Sequence, residues 1–294
     1  MSVDARPQEP VTERRLAANA DLDLRSTREL VDLINAEDET VAATVRGAAG
    51  ALADAIDAIV ERLARGGRLV YVGAGTSGRL ASVDAAECGP TFGIEPGRVL
   101  ALVAEDEASE DDAEAGRAAV RTTRVGADDA VVGLSAGGRT PYVLAAVAAA
   151  RAAGALTVGV VSAPDAPLVE AVDVAVTVVV GPEVIAGSTR MKAGTAQKLV
   201  LNTISTVSMV RLGKTYGDLM VDVVAGNAKL RARARRTVEL ATGASESEVD
   251  TALEAADGDA KVAIVSLLAR VDAPTARARL EDNDGVVRRS LGQR

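Results

Sequence analysis

A short apolar run that leads straight into a glycine-rich turn occupies residues 68–90, which read RLVYVGAGTSGRLASVDAAECGP. The run is rich in β-branched residues and nearly continuous, which is typical of a strand buried on both faces of a parallel sheet. The glycines after it predict a tight turn, and the stretch that follows has the composition of a helix. We therefore expect a strand, a turn and a helix, the unit from which α/β sheets are built.

Four more runs of this kind follow, separated by segments of helical length: RVLALVA (98–104), DAVVGLSA (129–136), LTVGVVS (156–162) and DVAVTVVV (173–180). Five such runs predict an α/β fold with a doubly wound, five-stranded parallel sheet flanked by helices. Capping-box patterns predict helix starts at Ser26 and at Ser245, because a glutamate stands three residues after each serine. Longer helices are expected over residues 40–65, 193–212 and 219–236.

The chain divides into two predicted domains. Residues 1–236 carry all five runs and form the sheet domain with its N-terminal helices. Residues 237–294 carry short helical patterns and no strand, so we expect a small all-helical C-terminal subdomain. A segment of this size does not reliably fold alone, and we expect it to be docked on the main body.

Composition excludes several classes of function. The chain of 294 residues is 48% hydrophobic, with no apolar run near the roughly 20 residues that span a bilayer and no apolar segment typical of a secretory signal. It contains no histidine, which excludes His-based nucleophile triads and His-ligated zinc, so proton transfer falls to carboxylates, Lys, Tyr or the single thiol. One cysteine, Cys88, cannot form an internal disulfide, so we expect the reducing cytoplasm.

The charge balance argues against a nucleic-acid partner. A formal net charge of -9 and an aromatic content of 1% leave neither a global basic footprint nor stacking platforms. An acidic total does not exclude a small anionic ligand, because backbone N–H groups at a helix start can hold phosphate. We therefore expect a small-molecule partner, with no nucleic acid and no membrane.

Three polar loops follow strands of the predicted sheet, where open α/β sheets bind their ligands. The first formally matches a dinucleotide fingerprint, but its hydroxyls suit a compact phosphate and no acidic residue stands at the usual spacing on the second strand. The candidate binding residues of the first loop are Gly75, Thr76, Ser77, Gly78 and Arg79. Those of the second are Ser135, Gly137, Gly138, Arg139 and Thr140. Those of the third are Ser188, Thr189, Arg190 and Lys192.

Plainer interpretations of these loops stay open at this point. Each glycine-rich turn can be a tight connection with no ligand, and the third loop can be a solvated helix cap. Glu87 by composition is a solvated helix-end carboxylate, and Glu110 lies in an acidic run that is usually the wet face of a helix. Cys88 without a neighbouring histidine is more often a buried small residue than a nucleophile.

At these residues the sequence resembles the N-acetylmuramic acid 6-phosphate etherase family, which is related to the glucokinase regulatory protein and belongs to the sugar isomerase (SIS) domain group. The resemblance covers nearly the whole chain. It rests on four motifs: GAGTSGRLASVDAAECGPT (73–91), GRTPY (138–142), GPEVIAGSTRMKAGTAQKLVLN (181–202) and KTYGDLMVDV (214–223).

The resemblance implies a lyase that cleaves the D-lactyl ether of N-acetylmuramic acid 6-phosphate, giving N-acetylglucosamine 6-phosphate and D-lactate in cell-wall sugar recycling. Two carboxylates suffice, without metal, nucleotide or other cofactor. Glu87 matches the catalytic acid of the family, for which we expect an apolar or carboxylate-rich setting. Glu110 matches the base, with Glu107 and Glu114 as alternatives because this chain is shorter here than the family usually is. The loop hydroxyls would bind the 6-phosphate and the sugar.

The chain departs from the family pattern at three positions near these motifs. Gly137 stands where the family more often has Ser, which removes one hydroxyl that Ser135 can replace. Ala81 and Gly89 replace a usual Gly and Pro on the helix of Glu87. The resemblance also implies a homodimer with sites near the subunit boundary. Rival hypotheses are a non-catalytic sugar-phosphate sensor, a nucleotide-dependent oxidoreductase and an aldose-ketose isomerase.

Overall fold

The structure is a computed structural model that describes residues 9–104, 106–222 and 228–293, with the backbone only of Glu107 and Lys229. Five parallel strands form one sheet in the order β2-β1-β3-β4-β5. The strands are β1 (Leu69–Gly73), β2 (Val99–Val103), β3 (Ala130–Leu134), β4 (Leu156–Val161) and β5 (Val174–Thr177). The predicted five-stranded parallel sheet is therefore confirmed, and every residue of β1, β3 and β4 is buried.

Helices connect the strands and make up the C-terminal region. Those of the first 211 residues are α1 (Thr27–Asp38), α2 (Val41–Gly47), α3 (Ala49–Ala64), α4 (Gly75–Phe92), α5 (Glu107–Glu110), α6 (Ala113–Thr122), α7 (Pro141–Ala152), α8 (Pro167–Ala171) and α9 (Lys192–Arg211). A two-stranded hairpin follows, β6 (Thr215–Tyr216) and β7 (Leu219–Met220). The last helices are α10 (Ala228–Thr242), α11 (Glu246–Ala255), α12 (Ala260–Ala269), α13 (Ala273–Glu281) and α14 (Val287–Ser290). None of the helices in the described residues is long and apolar enough to cross a bilayer.

The turn between β1 and α4 is built on its glycines. A Cβ on Gly73 would lie 2.7 Å from the backbone nitrogen of Gly78, and one on Gly78 would lie 2.5 Å from Val103 Cγ1. Only bare backbone lets the chain turn this sharply and lets α4 approach β2. Further along α4 the buried Asp84 accepts a hydrogen bond from the Tyr71 hydroxyl at 2.8 Å, which fixes the helix on β1.

Contacts divide the chain into two compact units. The first consists of Met1–Ala85 and Val99–Ile204, and the second of Ala86–Arg98 and Ser205–Arg294. The core of the first is formed by the sheet and its flanking helices, and includes Val70, Val131 and Val147. The core of the second centres on α12, in which Ala260 to Val265 are all buried, as in a helix that is packed on every side.

The predicted boundary at residue 237 falls inside α10, and the contact grouping begins the second unit earlier in the chain. The assignment of residues 237–294 as a subdomain stays a prediction. Both predicted capping boxes are present, at Ser26 with Glu29 and at Ser245 with Glu248.

Two helix predictions were wrong in detail. The segment 40–65 is two helices that break at Ala48, between Gly47 and Gly50. Glycine has a low helix propensity, which favours a break here. The segment predicted as a helix from residue 219 begins instead with β7, since Gly217 at φ +61° turns the chain into a hairpin. Residues 223–227 of that prediction lie outside the described residues.

Candidate active site

A cavity of about 800 Å³ lies at the carboxyl ends of β1, β2 and β3. The strand order reverses between β1 and β3, and in open α/β sheets such a switch point is where ligands bind. Every residue of its lining belongs to the first unit. The lining is formed by Ala74, Gly75, Thr76, Ser77, Arg79, Val103, Ala104, Asp106, Glu110, Leu134, Ser135, Ala136, Gly137, Thr140 and Thr189.

The first turn brings backbone N–H groups and two hydroxyls to this cavity. Gly75, Thr76 and Ser77 precede the first hydrogen bond of α4, which runs from the Gly78 nitrogen to the Ala74 carbonyl at 3.0 Å. N–H groups in that position, at the positive end of the helix, favour an anion. Arg79 also lines the cavity, and its guanidinium donates to Thr76 Oγ1 at 3.1 Å.

The second turn contributes a pair of hydroxyls. Ser135 Oγ and Thr140 Oγ1 lie 2.9 Å apart, and Ser135 Oγ also accepts a hydrogen bond from the Gly138 nitrogen at 3.0 Å. Only one of the two O–H groups donates in the hydrogen bond between them, so the other is left to donate elsewhere. Both residues line the cavity. Gly138 has φ +62°, and a Cβ there would lie 2.4 Å from the Ala166 side chain, so it shapes the turn. Arg139 is exposed and is not part of the lining.

The third loop places one of its candidate residues, Thr189, in the lining. The first turn meets the start of α9, where Thr76 Cγ2 lies 3.5 Å from the Cβ position of Gly194. Ser188 is half-buried and Arg190 is exposed; neither is part of the lining. Lys192, with a side chain only 4% exposed, forms an ion pair with Glu37 at 2.5 Å. Its ammonium is thus directed to α1, and its role in binding the ligand stays a prediction.

Glu183 explains why the start of α9 is not a second anion site. Its carboxylate is 1% exposed and accepts hydrogen bonds from the backbone nitrogens of Lys192 and Ala193, each at 3.0 Å. The positive end of α9 is therefore already occupied by a negative charge of the protein. At the start of α4 the carboxylate of Glu110 lies beside Gly75, and the binding of a phosphate there stays a prediction.

Glu110 is the carboxylate that the structure brings to the first turn. Its Oε1 lies 2.8 Å from the position that a Cβ would take on Gly75, and it lines the cavity. Glu114, one alternative for the base, is exposed and forms ion pairs with Arg117 and Arg121. The side chain of Glu107, the other alternative, lies outside the described residues.

Asp106 is a cavity residue that the sequence interpretation did not single out. It caps α5, and hydrogen bonds from the hydroxyl and backbone nitrogen of Ser109 hold the pKa of Asp106 below its ordinary value. The sequence does place Asp106 three residues before Ser109, a spacing that suits a helix cap. The neighbouring acidic residues concealed this pattern. The described lining thus contains two carboxylates against one cation, Arg79, so a phosphate in it depends on N–H groups and hydroxyls.

Glu87 lies within α4, twelve residues beyond Gly75, and belongs to the second unit. Its side chain is exposed in the single chain, so the apolar setting, one of the two expected for an acid, is not formed there. The cavity lining of the first unit does not include it. Cys88 next to it is buried, as expected for a small structural residue. No group of three or more acidic or thiol side chains in the described residues is arranged to hold a metal ion.

Comparisons with known proteins agree with this architecture. The SIS domain model matches residues 113–206, and the model of the glucokinase regulatory protein N-terminal SIS domain matches residues 51–151. A putative phosphosugar isomerase from Bacteroides fragilis has the same fold, with a TM-score of 0.50, 22% identity and coverage of 62% of this chain and 91% of that one. The fold and the cavity at its strand ends therefore define a SIS-domain protein.

Relatives over the full length are more specific. An N-acetylmuramic acid 6-phosphate etherase from Rubrobacter xylanophilus is 57% identical, with 99% of each chain covered. A second protein of that name, from Streptomyces avermitilis, is 52% identical over 92% of this chain and 90% of its own. The chain belongs to the N-acetylmuramic acid 6-phosphate etherase family, which confirms the resemblance drawn from its motifs.

Proposed function

We propose that this chain cleaves the D-lactyl ether of N-acetylmuramic acid 6-phosphate, with the products N-acetylglucosamine 6-phosphate and D-lactate. The observation that carries the proposal is the placement of Glu110 beside the N-terminal turn of α4, in a cavity lined by hydroxyls. An anion site and a proton acceptor thus stand side by side. A phosphorylated sugar with an acidic C–H bond is a substrate that needs both.

The 6-phosphate binds at the start of α4. The N–H groups of Gly75, Thr76 and Ser77 form the positive end of the helix, where a phosphate is stabilised without a cluster of cations. The hydroxyl pair of Ser135 and Thr140, together with Thr189, holds the remaining phosphate or sugar oxygens. Binding through fixed dipoles accounts for phosphate affinity in a cavity whose lining has more carboxylates than cations.

Glu110 removes the proton from C2 once ring opening has exposed the aldehyde at C1. The electron pair of the C2–H bond is first held as an enolate with the C1 carbonyl oxygen. It then forms the C2–C3 double bond as the C3–O bond to lactate breaks, and Glu87 protonates the departing oxygen. Water then adds its hydroxyl to C3 and a proton to C2, which gives N-acetylglucosamine 6-phosphate. Positioned carboxylates contribute about 10²–10⁴-fold each to such proton transfers.

The enzyme works as a homodimer in which Glu87 of the partner subunit completes the site. Support comes from the exposure of Glu87 in the single chain, because an exposed carboxylate is a poor general acid until another surface covers it. We also propose that the protein is cytoplasmic. A chain with a single cysteine cannot form an internal disulfide, which suits a reducing compartment.

Two measurements test these proposals. The first is D-lactate release from N-acetylmuramic acid 6-phosphate by the unchanged chain. Release supports the lyase; binding without release supports the sensor, which the match to the regulatory-protein domain favours as the second candidate.

The second measurement is complementation between subunits. Glu87→Gln and Glu110→Gln variants are mixed, unfolded and refolded together. If the two glutamates come from different chains, half of the dimers are mixed and each has one intact site, which restores about a quarter of the activity. If both come from one chain, the mixture stays inactive, and the proposal of a shared site is wrong.

A further inference from the structure

The segment before α1 reaches two of the loops around the cavity. Thr12 is 2% exposed, and its Oγ1 lies 3.9 Å from the Cβ position of Gly137 in the second turn. The next residue, Glu13, places Oε2 2.9 Å from the Cβ position of Gly187 in the third loop. Two consecutive side chains therefore contact two loops that are fifty residues apart in the sequence.

These two side chains are linked to each other. The Thr12 hydroxyl donates to Glu13 Oε1 at 3.3 Å, so one carboxylate oxygen is held by Thr12 while the other faces Gly187. A short 3₁₀ turn fixes the backbone, through a hydrogen bond from the Glu13 nitrogen to the Pro10 carbonyl at 2.9 Å. The pair is thus oriented by local bonds rather than by a helix or a strand.

A third contact holds the same segment to the third loop. Asn19 Nδ2 donates to the Val184 carbonyl at 3.2 Å, across 165 residues of sequence. We call Thr12, Glu13 and Asn19 the N-terminal clasp. The clasp touches the third loop on both sides of Ile185 and the second turn at Gly137.

Both contacted loops contribute residues to the cavity. Gly137 is itself part of the lining, and the Gly187 carbonyl accepts a hydrogen bond from the nitrogen of Thr189, which is also in the lining. Gly187 has φ +75°, a conformation that glycine adopts readily and that few other residues would. A shift of the clasp would move Gly137 and Thr189 together.

We propose that Thr12 and Glu13 are positioning residues that hold the second and third loops at the separation required by a sugar phosphate. The proposal rests on the function proposed above for the cavity. Thr12 does not touch the ligand; it orients Glu13, and Glu13 supports the third loop at Gly187. The pair therefore controls affinity for the phosphorylated sugar, while proton transfer by the glutamates is left unchanged.

The test compares Thr12→Val, which keeps the shape and removes the hydroxyl, with Thr12→Ser, which keeps the hydroxyl. The measured quantities are the Kd for N-acetylglucosamine 6-phosphate by calorimetry, KM and kcat for lactate release, and Tm. We expect Thr12→Val to raise Kd and KM about five- to tenfold, as for one lost hydrogen bond, with kcat within about twofold. Thr12→Ser should match the unchanged chain.

Two further variants separate positioning from folding. Glu13→Ala should raise Kd at least as much as Thr12→Val, because it removes the support at Gly187. Arg15→Ala is the control, since Arg15 is an exposed residue of the same segment, and it should change nothing. Unchanged Kd and KM in Thr12→Val and Glu13→Ala would overturn the proposal, and so would a loss of kcat that only follows a lower Tm.

The readouts also distinguish this inference from the proposed function. If the unchanged chain binds N-acetylglucosamine 6-phosphate but releases no lactate, the lyase assignment fails and the clasp is still judged from Kd. If the unchanged chain binds no sugar phosphate, the assignment of the cavity fails and the clasp proposal fails with it.

Discussion

Glu110 and Gly75 lie so close together that a side chain on the glycine would displace the carboxylate: Glu110 Oε1 is 2.8 Å from the point where a Cβ would be placed. Gly75 also has φ +51°, in the left-handed region. One position thus serves two purposes, because it lets the chain turn from β1 into α4 and lets the carboxylate approach the start of the helix.

Replacing Gly75 with alanine should therefore displace Glu110. The new methyl group would collide with Oε1, and the left-handed backbone would cost about 1 kcal/mol more than with glycine. We expect lactate release to fall about 100-fold, since small misplacements of a catalytic group have effects of this size. The control is Gly50→Ala in α3, where a Cβ meets nothing within 4 Å, and activity should be retained.

Glu87→Gln should separate the two halves of the reaction. If Glu87 protonates the departing lactate, the variant releases none but still exchanges the C2 proton for deuterium from solvent. The measurement is proton NMR of N-acetylmuramic acid 6-phosphate in heavy water. Loss of both exchange and release would instead assign Glu87 to the proton acceptor.

The pH dependence of the free energy of unfolding should reveal the contribution of the Arg68–Asp129 ion pair. Burial raises the pKa of Asp129, but hydrogen bonds from the Arg68 side chain and from the backbone nitrogens of Gly126 and Arg68 outweigh it, so the net shift is downward. A carboxyl group whose pKa is lower in the folded state stabilises the fold above its unfolded pKa of about 3.9, and this stabilisation is lost as the pH falls through the folded value.

The corresponding variant is Asp129→Asn. It should lower the free energy of unfolding by about 2 kcal/mol at pH 7 and reduce the loss of stability as the pH falls below about 4. Denaturant unfolding at several pH values measures both effects. Asp128→Asn, at the exposed neighbouring residue, is the matched control. If Asp129→Asn and the unchanged chain lose the same free energy of unfolding at acid pH, the Arg68–Asp129 pair does not govern this loss.

Glu183→Gln should destabilise the start of α9. The amide keeps the size of the side chain but has one acceptor oxygen where two backbone N–H groups, those of Lys192 and Ala193, need one each. We expect a loss of about 1–3 kcal/mol for the unsatisfied buried group. Thermal unfolding measures it, with the exposed Glu170→Gln as control. A Tm equal to that of the control would contradict the capping role.

The sheet could be predicted because its signal is local. The runs around β1, β3 and β4 are apolar on both faces, and such a pattern arises where helices cover both sides of a parallel sheet. The carboxyl ends of parallel strands share one edge, so the first two loops could also be placed together. The second strand of the hairpin, at residues 219–220, was mistaken for the start of a helix, since two-residue strands have no detectable period.

The parts of the site that could not be predicted depend on contacts between distant segments. Nothing near Lys192 in the sequence reveals its ion pair with Glu37, 155 residues away. Thr12 is likewise an ordinary polar residue until the fold brings it to Gly137. The resemblance to the family suggested Glu110 with Glu114 as an alternative. The structure puts Glu110 in the cavity lining and Glu114 in ion pairs with arginines, a difference that the sequence does not show. The assignment of Glu110 as the base stays a prediction.

The role of Glu110 can be measured directly by following deuterium at C2 together with D-lactate in one NMR experiment. The unchanged chain should produce N-acetylglucosamine 6-phosphate labelled at C2, and Glu114→Gln should do the same. Glu110→Gln should lose exchange and release by at least about 100-fold while it remains folded. Rapid C2 exchange by Glu110→Gln would contradict the assignment of Glu110 as the group that takes the proton.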